Sequence, residues 1–185
     1  MPADALGLRG DWTSCYSGII AHVSRDTFEP SRLADNRPAA AEPPTRAEYT
    51  LLSMRTDQVE PAIALLGGDA SQRAYLYELA GAGWAYAALC PEGALVGCCV
   101  LHKDRRTLGA LHVHAAHRRR GVARRLVSEL CAAALDAEPS RALRAVIVEG
   151  NLASRRTFES LGFRTLPGVF HWAAHARVPR SARDL

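Results

Sequence analysis

Arg118-Arg119-Arg120-Gly121-Val122-Ala123 stands where an apolar, strand-like run meets a long amphipathic run with helical spacing. A glycine turn that opens a helix leaves the first backbone N–H groups unpaired and aims them at one point, and the helix dipole adds positive potential there. A phosphate or pyrophosphate fits such a site, and the flanking arginines supply counter-charge. Taken alone, the turn reads equally well as a solvated helix start. The chain holds 23 Lys and Arg residues, of which only Lys103 is lysine, and short glycine motifs often match by chance. The elements around the turn decide between the two readings.

Residues 107–114, just before the turn, read as a strand. Residues 121–137 read as a helix with Leu126, Val127, Leu130, Ala133 and Ala134 on one face. Strands at 84–89 and 95–102 precede them. The turns Pro91-Glu92-Gly93 and Lys103-Asp104-Arg105 are short enough to make these strands antiparallel neighbours. A strand at 49–54 and helices over 58–66 and 72–80 come earlier. Downstream, the near-continuous apolar run 143–148 predicts a buried central strand. Asn151 then caps a helix closed by Gly162, and strands at 163–166 and 169–174 follow. The class is α/β, with a mixed, mostly antiparallel sheet and flanking helices. The Pro/Ala-rich stretch 36–44 (NRPAAAEPP) reads as a linker. The expected organisation is an N-terminal extension over 1–46, in which 12–23 hold apolar residues able to pack, a domain over 47–176 and a tail over 177–185.

Apolar residues make up 48% of the chain, enough for a packed core. No apolar run is long enough to cross a bilayer, and no basic segment leads into an apolar core at the N-terminus, so neither a membrane partner nor a secretory leader is expected. Cys15, Cys90, Cys98, Cys99 and Cys131 lack metal-ligand spacing. Reduced cysteines acting as small apolar residues point to a cytoplasmic location. A net charge of +4 and a pI near 9.0 favour anionic ligands. Without an aromatic platform or recognition motif, that charge is too weak and dispersed for nucleic acid.

Two segments together resemble the GNAT superfamily of acyl-CoA-dependent N-acyltransferases. The first is Leu111-His112-Val113 followed by Arg118-x-x-Gly121-x-Ala123, similar to the family's strand and its Q/R-x-x-G-x-G/A cofactor loop. The second is Asn151-x-x-Ser154-x-x-x-Phe158-x-x-x-Gly162-Phe163, similar to N-x-x-A/S-x-x-x-Y-x-x-x-G-F. Ser154 and the Leu-Gly-x-Leu strand also resemble the glycine N-acyltransferase-like branch. The resemblance covers residues 47–176 and implies a sheet splayed at its central strands. It further implies that acetyl-CoA, or another acyl-CoA, is the co-substrate. Val113 backbone groups would hold the pantetheine arm and polarise the thioester carbonyl. Arg118, Arg119, Arg120, Gly121, Val122, Ala123 and Arg124 would cradle the pyrophosphate, and Asn151 and Phe158 would border the arm. The acceptor would be a small-molecule amine or a peptide amino group attacking directly, in a monomer or homodimer, with no metal.

Direct attack needs a base to take a proton from an ammonium. Many family members carry a carboxylate or histidine four or six residues before the Val113 position, where this chain has Gly109 and Thr107. His112 titrates in the useful range, although a histidine packed against the neighbouring helix is the more ordinary reading. Glu149 could relay a proton through water, against the alternative of an exposed strand-end carboxylate. His112, His114 and His117 form a His-x-His-x-x-His cluster, but no carboxylate or cysteine completes a metal set. Phe158 stands where many relatives have a tyrosine that protonates the leaving thiolate. These departures leave a second reading open, a non-catalytic acyl-CoA-binding or sensing module.

Overall fold

The computed structural model describes residues 12–29, 49–68, 70–168 and 170–175, with backbone alone at 12–17, 70–71 and 170–175. The linker reading at 36–44 and the tail at 177–185 lie outside the described residues.

Among the described residues, eight strands and four helices follow in chain order: β1 Trp12–Val23, β2 Thr50–Ser53, α1 Val59–Leu66, α2 Ala70–Gly81, β3 Ala85–Leu89, β4 Leu95–Leu101, β5 Thr107–Val113, α3 Val122–Ala137, β6 Leu143–Val148, α4 Leu152–Glu159, β7 Arg164–Thr165 and β8 Phe170–His175. They form one sheet of order β2-β3-β4-β5-β6-β1-β7, with β8 pairing to β1. Every pairing is antiparallel except β5 with β6.

The strand at β1 is absent from the sequence reading, which left 12–23 in an extension outside the domain. It lies inside the sheet. Gly18 to Val23 pair residue by residue with Val148 to Leu143. The signal was present, since 16–23 combine Tyr, two Ile and Val in an uncharged run that lies between Asp11 and Arg25. Ala21 and Val23 are buried in the same core as α3, while His22 on the opposite face is half-buried. That is the period of two a half-buried strand requires.

Two apolar layers sandwich the sheet. On one face α3 packs Leu126, Val127 and Leu130 against Cys99, Leu101, Leu108, Leu143, Ala145 and Ile147. On the other, α1 and α2 bring Val59, Ile63, Leu76 and Leu79 onto Ala85, Ala87, Cys98 and Val100. Burying a side chain of this size contributes about 1.5–3 kcal/mol each before the entropy cost of ordering it. Partners directly opposite in a ladder share a face, so His112 (opposite Cys98) and Gly109 (opposite Val100) lie on the α1–α2 side.

Candidate functional site

The gap at the centre of the sheet originates in β5. Its parallel pairing with β6 is confined to Thr107↔Arg144 and Leu108↔Ala145. Ala110 then adopts φ +48°. The ladder with β4 passes from Val100↔Gly109 to Cys98↔His112, which places one extra residue on β5. A bulge of this kind bends its strand and ends pairing on that side. β6 continues along β1 as far as Val148, so the two central strands part beyond the bulge.

Past the bulge, the His114 N–H donates to the Val96 carbonyl at 2.8 Å. Val113 is therefore a non-hydrogen-bonded partner of Gly97, and its own N–H and C=O face the gap. The Val113 carbonyl accepts a hydrogen bond from Arg118 Nε at 2.9 Å, so one of its lone pairs already serves the loop. The strand approach is close at this level. A Cβ on Gly97 would meet the His112 carbonyl oxygen and Leu126 Cδ1 at 3.1 Å.

A single 3-10 turn, Ala115–His117, carries the chain out of β5. Arg119 (φ +61°) and Gly121 (φ +78°) are both left-handed, and α3 begins at Val122. The turn is pinned from the residue just before β2, where the Tyr49 hydroxyl lies 3.0 Å from His117 Nδ1. Opposite it, Asn151 Oδ1 accepts the Ser154 N–H at 3.0 Å and caps α4.

Between the end of β5, the first turn of α3 and the first turns of α4 lies a cleft of about 810 Å³. Val113, Arg118, Arg119, Gly121, Val122, Ala123, Arg124 and Asn151 line it. Leu111, Ala115, His117, Ala153, Ser154 and Thr157 also line it; the sequence reading did not place them there. Leu111 and Ser154 belong to the two quoted motifs and His117 to the histidine cluster, while Ala115, Ala153 and Thr157 carry no motif signal; all six arrive through the folding of β5, the turn after it and α4. The donor set suits a phosphorylated ligand. Beyond the backbone of the α3 terminus, Arg124 Nε is buried without a hydrogen-bond partner among the described residues, and Arg124 faces the cleft. A buried orphan donor costs free energy until an acceptor reaches it.

Three expectations change. Phe158 does not border the cleft: it is 3% exposed and meets Phe163 edge-on, with ring centroids 4.9 Å apart. Without a hydroxyl to keep wet, the aromatic ring turns into the apolar core. Arg120 is exposed and does not line the cleft. Glu149 is exposed in the turn after β6 and is also absent from the lining. His112 does line it, half-buried. Burial first, then the neighbouring Arg118 and His114, lowers its pKa, so the imidazole is neutral at pH 7. His114 accepts the Ala116 N–H through Nδ1, and His117 is engaged by Tyr49.

Comparison with known proteins bears on the fold and the family. None of the curated proteins matches the sequence. Among solved structures, a Drosophila protein superposes with a TM-score of 0.67 at 18% identity, covering 92% of this chain and 54% of its own. A putative GNAT-family acetyltransferase from Novosphingobium aromaticivorans gives 0.58 at 16%, covering 88% and 65%. AAC(6')-Iy, solved with the bisubstrate analogue CoA-S-monomethyl-acetylneamine, gives 0.56 at 17%, covering 64% and 92%. The chain thus spans 54% to 65% of the length of the first two. At these identities the likeness concerns the fold. The model of the acetyltransferase (GNAT) family matches residues 51–163, more than half of the sequence, and the chain belongs to that family.

Proposed function

We propose that this protein is an N-acetyltransferase that moves an acetyl group from acetyl-CoA to an amine. The observation that carries the reading is the cleft itself. A bulged β5 opens the sheet at Val113, directly beside a left-handed glycine that starts α3. The α3 terminus and Arg124 supply donors for the pyrophosphate of CoA. The Val113 N–H faces the gap in which the pantetheine arm would lie, where it can polarise the thioester carbonyl. A preorganised donor of this type contributes about 3 kcal/mol to lowering an acyl-transfer barrier. AAC(6')-Iy, whose structure holds an analogue joining CoA to an acetylated amine, gives this reading a precedent on the same fold.

The acceptor nitrogen must be neutral when it attacks. Its C–N bond forms as the C–S bond breaks, and CoA leaves as thiolate. With Phe158 in the core, that thiolate is stabilised by the α3 dipole and by water. His112 presents a neutral imidazole at the cleft, which does not repel an approaching ammonium. The test is release of free thiol from acetyl-CoA across a panel of primary amines, with CoA-induced stabilisation measured alongside. A CoA-dependent rise in Tm together with no turnover on any amine would overturn the enzymatic reading in favour of a sensing module.

A further inference from the structure

The α1–α2 face of β5 has no proton acceptor of its own at positions 107 and 109. Gly109, however, is not open space. A Cβ placed on it would fall inside the contact shell of His102 Nε2, with Cδ2 at 3.0 Å and Cε1 at 3.1 Å. The imidazole of His102 thus fills the volume that a side chain at position 109 would take. It reaches there from the neighbouring strand. His102 follows β4 directly and donates its backbone N–H to the Thr107 carbonyl at 2.8 Å. Two residues beyond Val100, it lies on the same face as Gly109 and His112.

The ring is held from its far side. Nδ1 lies 2.8 Å from the Tyr75 hydroxyl of α2, and the two rings stack with centroids 5.8 Å apart. The same hydroxyl oxygen accepts the Lys103 backbone N–H at 3.4 Å. Lys103 Nζ sits over the Tyr75 ring and pairs with Glu78. From the β4–β5 turn, Asp104 is engaged by Arg144 of β6 and by Thr107. Burial lowers the His102 pKa, and Asp104 opposes the shift. At neutral pH the imidazole is uncharged, half-buried and fixed in orientation.

We propose that His102 is the general base of acetyl transfer, supplied across the strand pair to the position that Gly109 leaves free. The assignment rests on the N-acetyltransferase reading above, and because His102 lies outside the lining of the cofactor cleft, it has the acceptor approach from the α1–α2 face of β5, where His112 borders that cleft. The acceptor ammonium gives one proton to His102 Nε2, directly or through one water. The freed lone pair forms the C–N bond to the acetyl carbon, and the C–S electron pair leaves with the thiolate. Nδ1 keeps its hydrogen and donates it to the Tyr75 oxygen, which fixes the tautomer and stabilises the imidazolium. Tyr75 is a positioning residue.

The experiment compares wild type, His102→Gln, Tyr75→Phe, His112→Gln and the pair His102→Ala/Gly109→Glu. Each is assayed for thiol release from acetyl-CoA with the most active primary amine of the panel, from pH 5 to 9. Tm with and without CoA is measured on the same samples. His102→Gln is expected to lower kcat/KM for the amine by about 10²–10⁴-fold and to abolish the acidic limb, while the CoA-induced Tm shift is unchanged. Tyr75→Phe moves that limb to lower pH, which a purely structural contact would not do. In the double variant the carboxylate occupies the vacated volume and restores at least about tenfold over His102→Ala alone, a general-base contribution of the usual kind. A His102→Gln enzyme within a few-fold of wild type with the same acidic limb, or a limb lost only in His112→Gln, overturns the assignment. A wild type that binds CoA but acetylates nothing overturns the N-acetyltransferase reading and this assignment with it.

Discussion

Gly121 offers the sharpest test of the cofactor loop, because its energetics separate cleanly. The residue caps α3 at φ +78°, and a Cβ built on it meets nothing within 4 Å. Substitution therefore costs only the left-handed backbone of an L-residue, about 1–2 kcal/mol for alanine and less for asparagine, which visits this region more readily. For a chain of this size 1 kcal/mol corresponds to about 2–4 °C in Tm. Gly121→Ala is expected to lose about 2–8 °C and Gly121→Asn clearly less. Relief of the strain rotates the backbone out of the left-handed region, so the N–H groups that follow no longer converge. Losing one charge-assisted hydrogen bond of about 1.5–3 kcal/mol weakens CoA binding on the order of ten- to a hundredfold. Thermal denaturation gives the first quantity, and calorimetric titration with CoA gives the second. Equal losses for alanine and asparagine, or an alanine cost above ~3 kcal/mol, would refute the open-space argument. Normal CoA affinity in a destabilised Gly121→Ala protein would refute the loop's role.

Three further outcomes follow from the same structure. Gly162 is also left-handed, at φ +87°, but its Cβ would overlap the Thr27 carbonyl oxygen. Gly162→Ala must displace backbone as well as strain it, and in urea unfolding it is expected to cost more than Gly121→Ala, by at least ~2 kcal/mol. Asn151→Ala removes the cap on the Ser154 N–H and should cost about 1 kcal/mol. Asn151→Asp keeps that acceptor and the stability but places an anion at the cleft, so CoA titration should show weakened binding in both variants and near-normal stability only in the aspartate. At Asp104, partial burial raises the carboxyl pKa. Hydrogen bonds from the Thr107 hydroxyl, the Arg106 and Thr107 backbone N–H groups and Arg144 outweigh it and hold the group well below the usual carboxylate range. A depressed folded pKa gives stability that is complete above the unfolded value near 3.9 and fades as pH falls through the folded one. The stability gap between wild type and Asp104→Asn, read by urea unfolding between pH 5 and 2, should therefore narrow on acidification. Because the Asp104 side chain is 39% exposed, high salt should shrink the gap at every pH.

What the sequence determined on its own is the part of the molecule built from near neighbours. The strand into 118–123, the left-handed glycine and the amphipathic run after it concern residues within one or two turns of each other. Their chemistry of chirality, capping and dipole acts locally, and the same holds for the Asn151 cap on α4. Tertiary structure decided everything that depends on which distant strands meet. Gly18 pairs with Val148 across most of the chain, a register set by burial of Ala21 and Val23 against α3. No local pattern announces that register. The fate of Phe158 was settled by competition between cleft and core, and the core won because the ring has no polar atom to satisfy. Thr107 and Gly109 read as a gap in the catalytic machinery until the β4–β5 ladder laid His102 over it. The proposed ligand loop can be read along the chain because its groups share one stretch of backbone. The proposed proton acceptor could not be, because a side chain's place in space is set by strand pairing and not by its position in sequence.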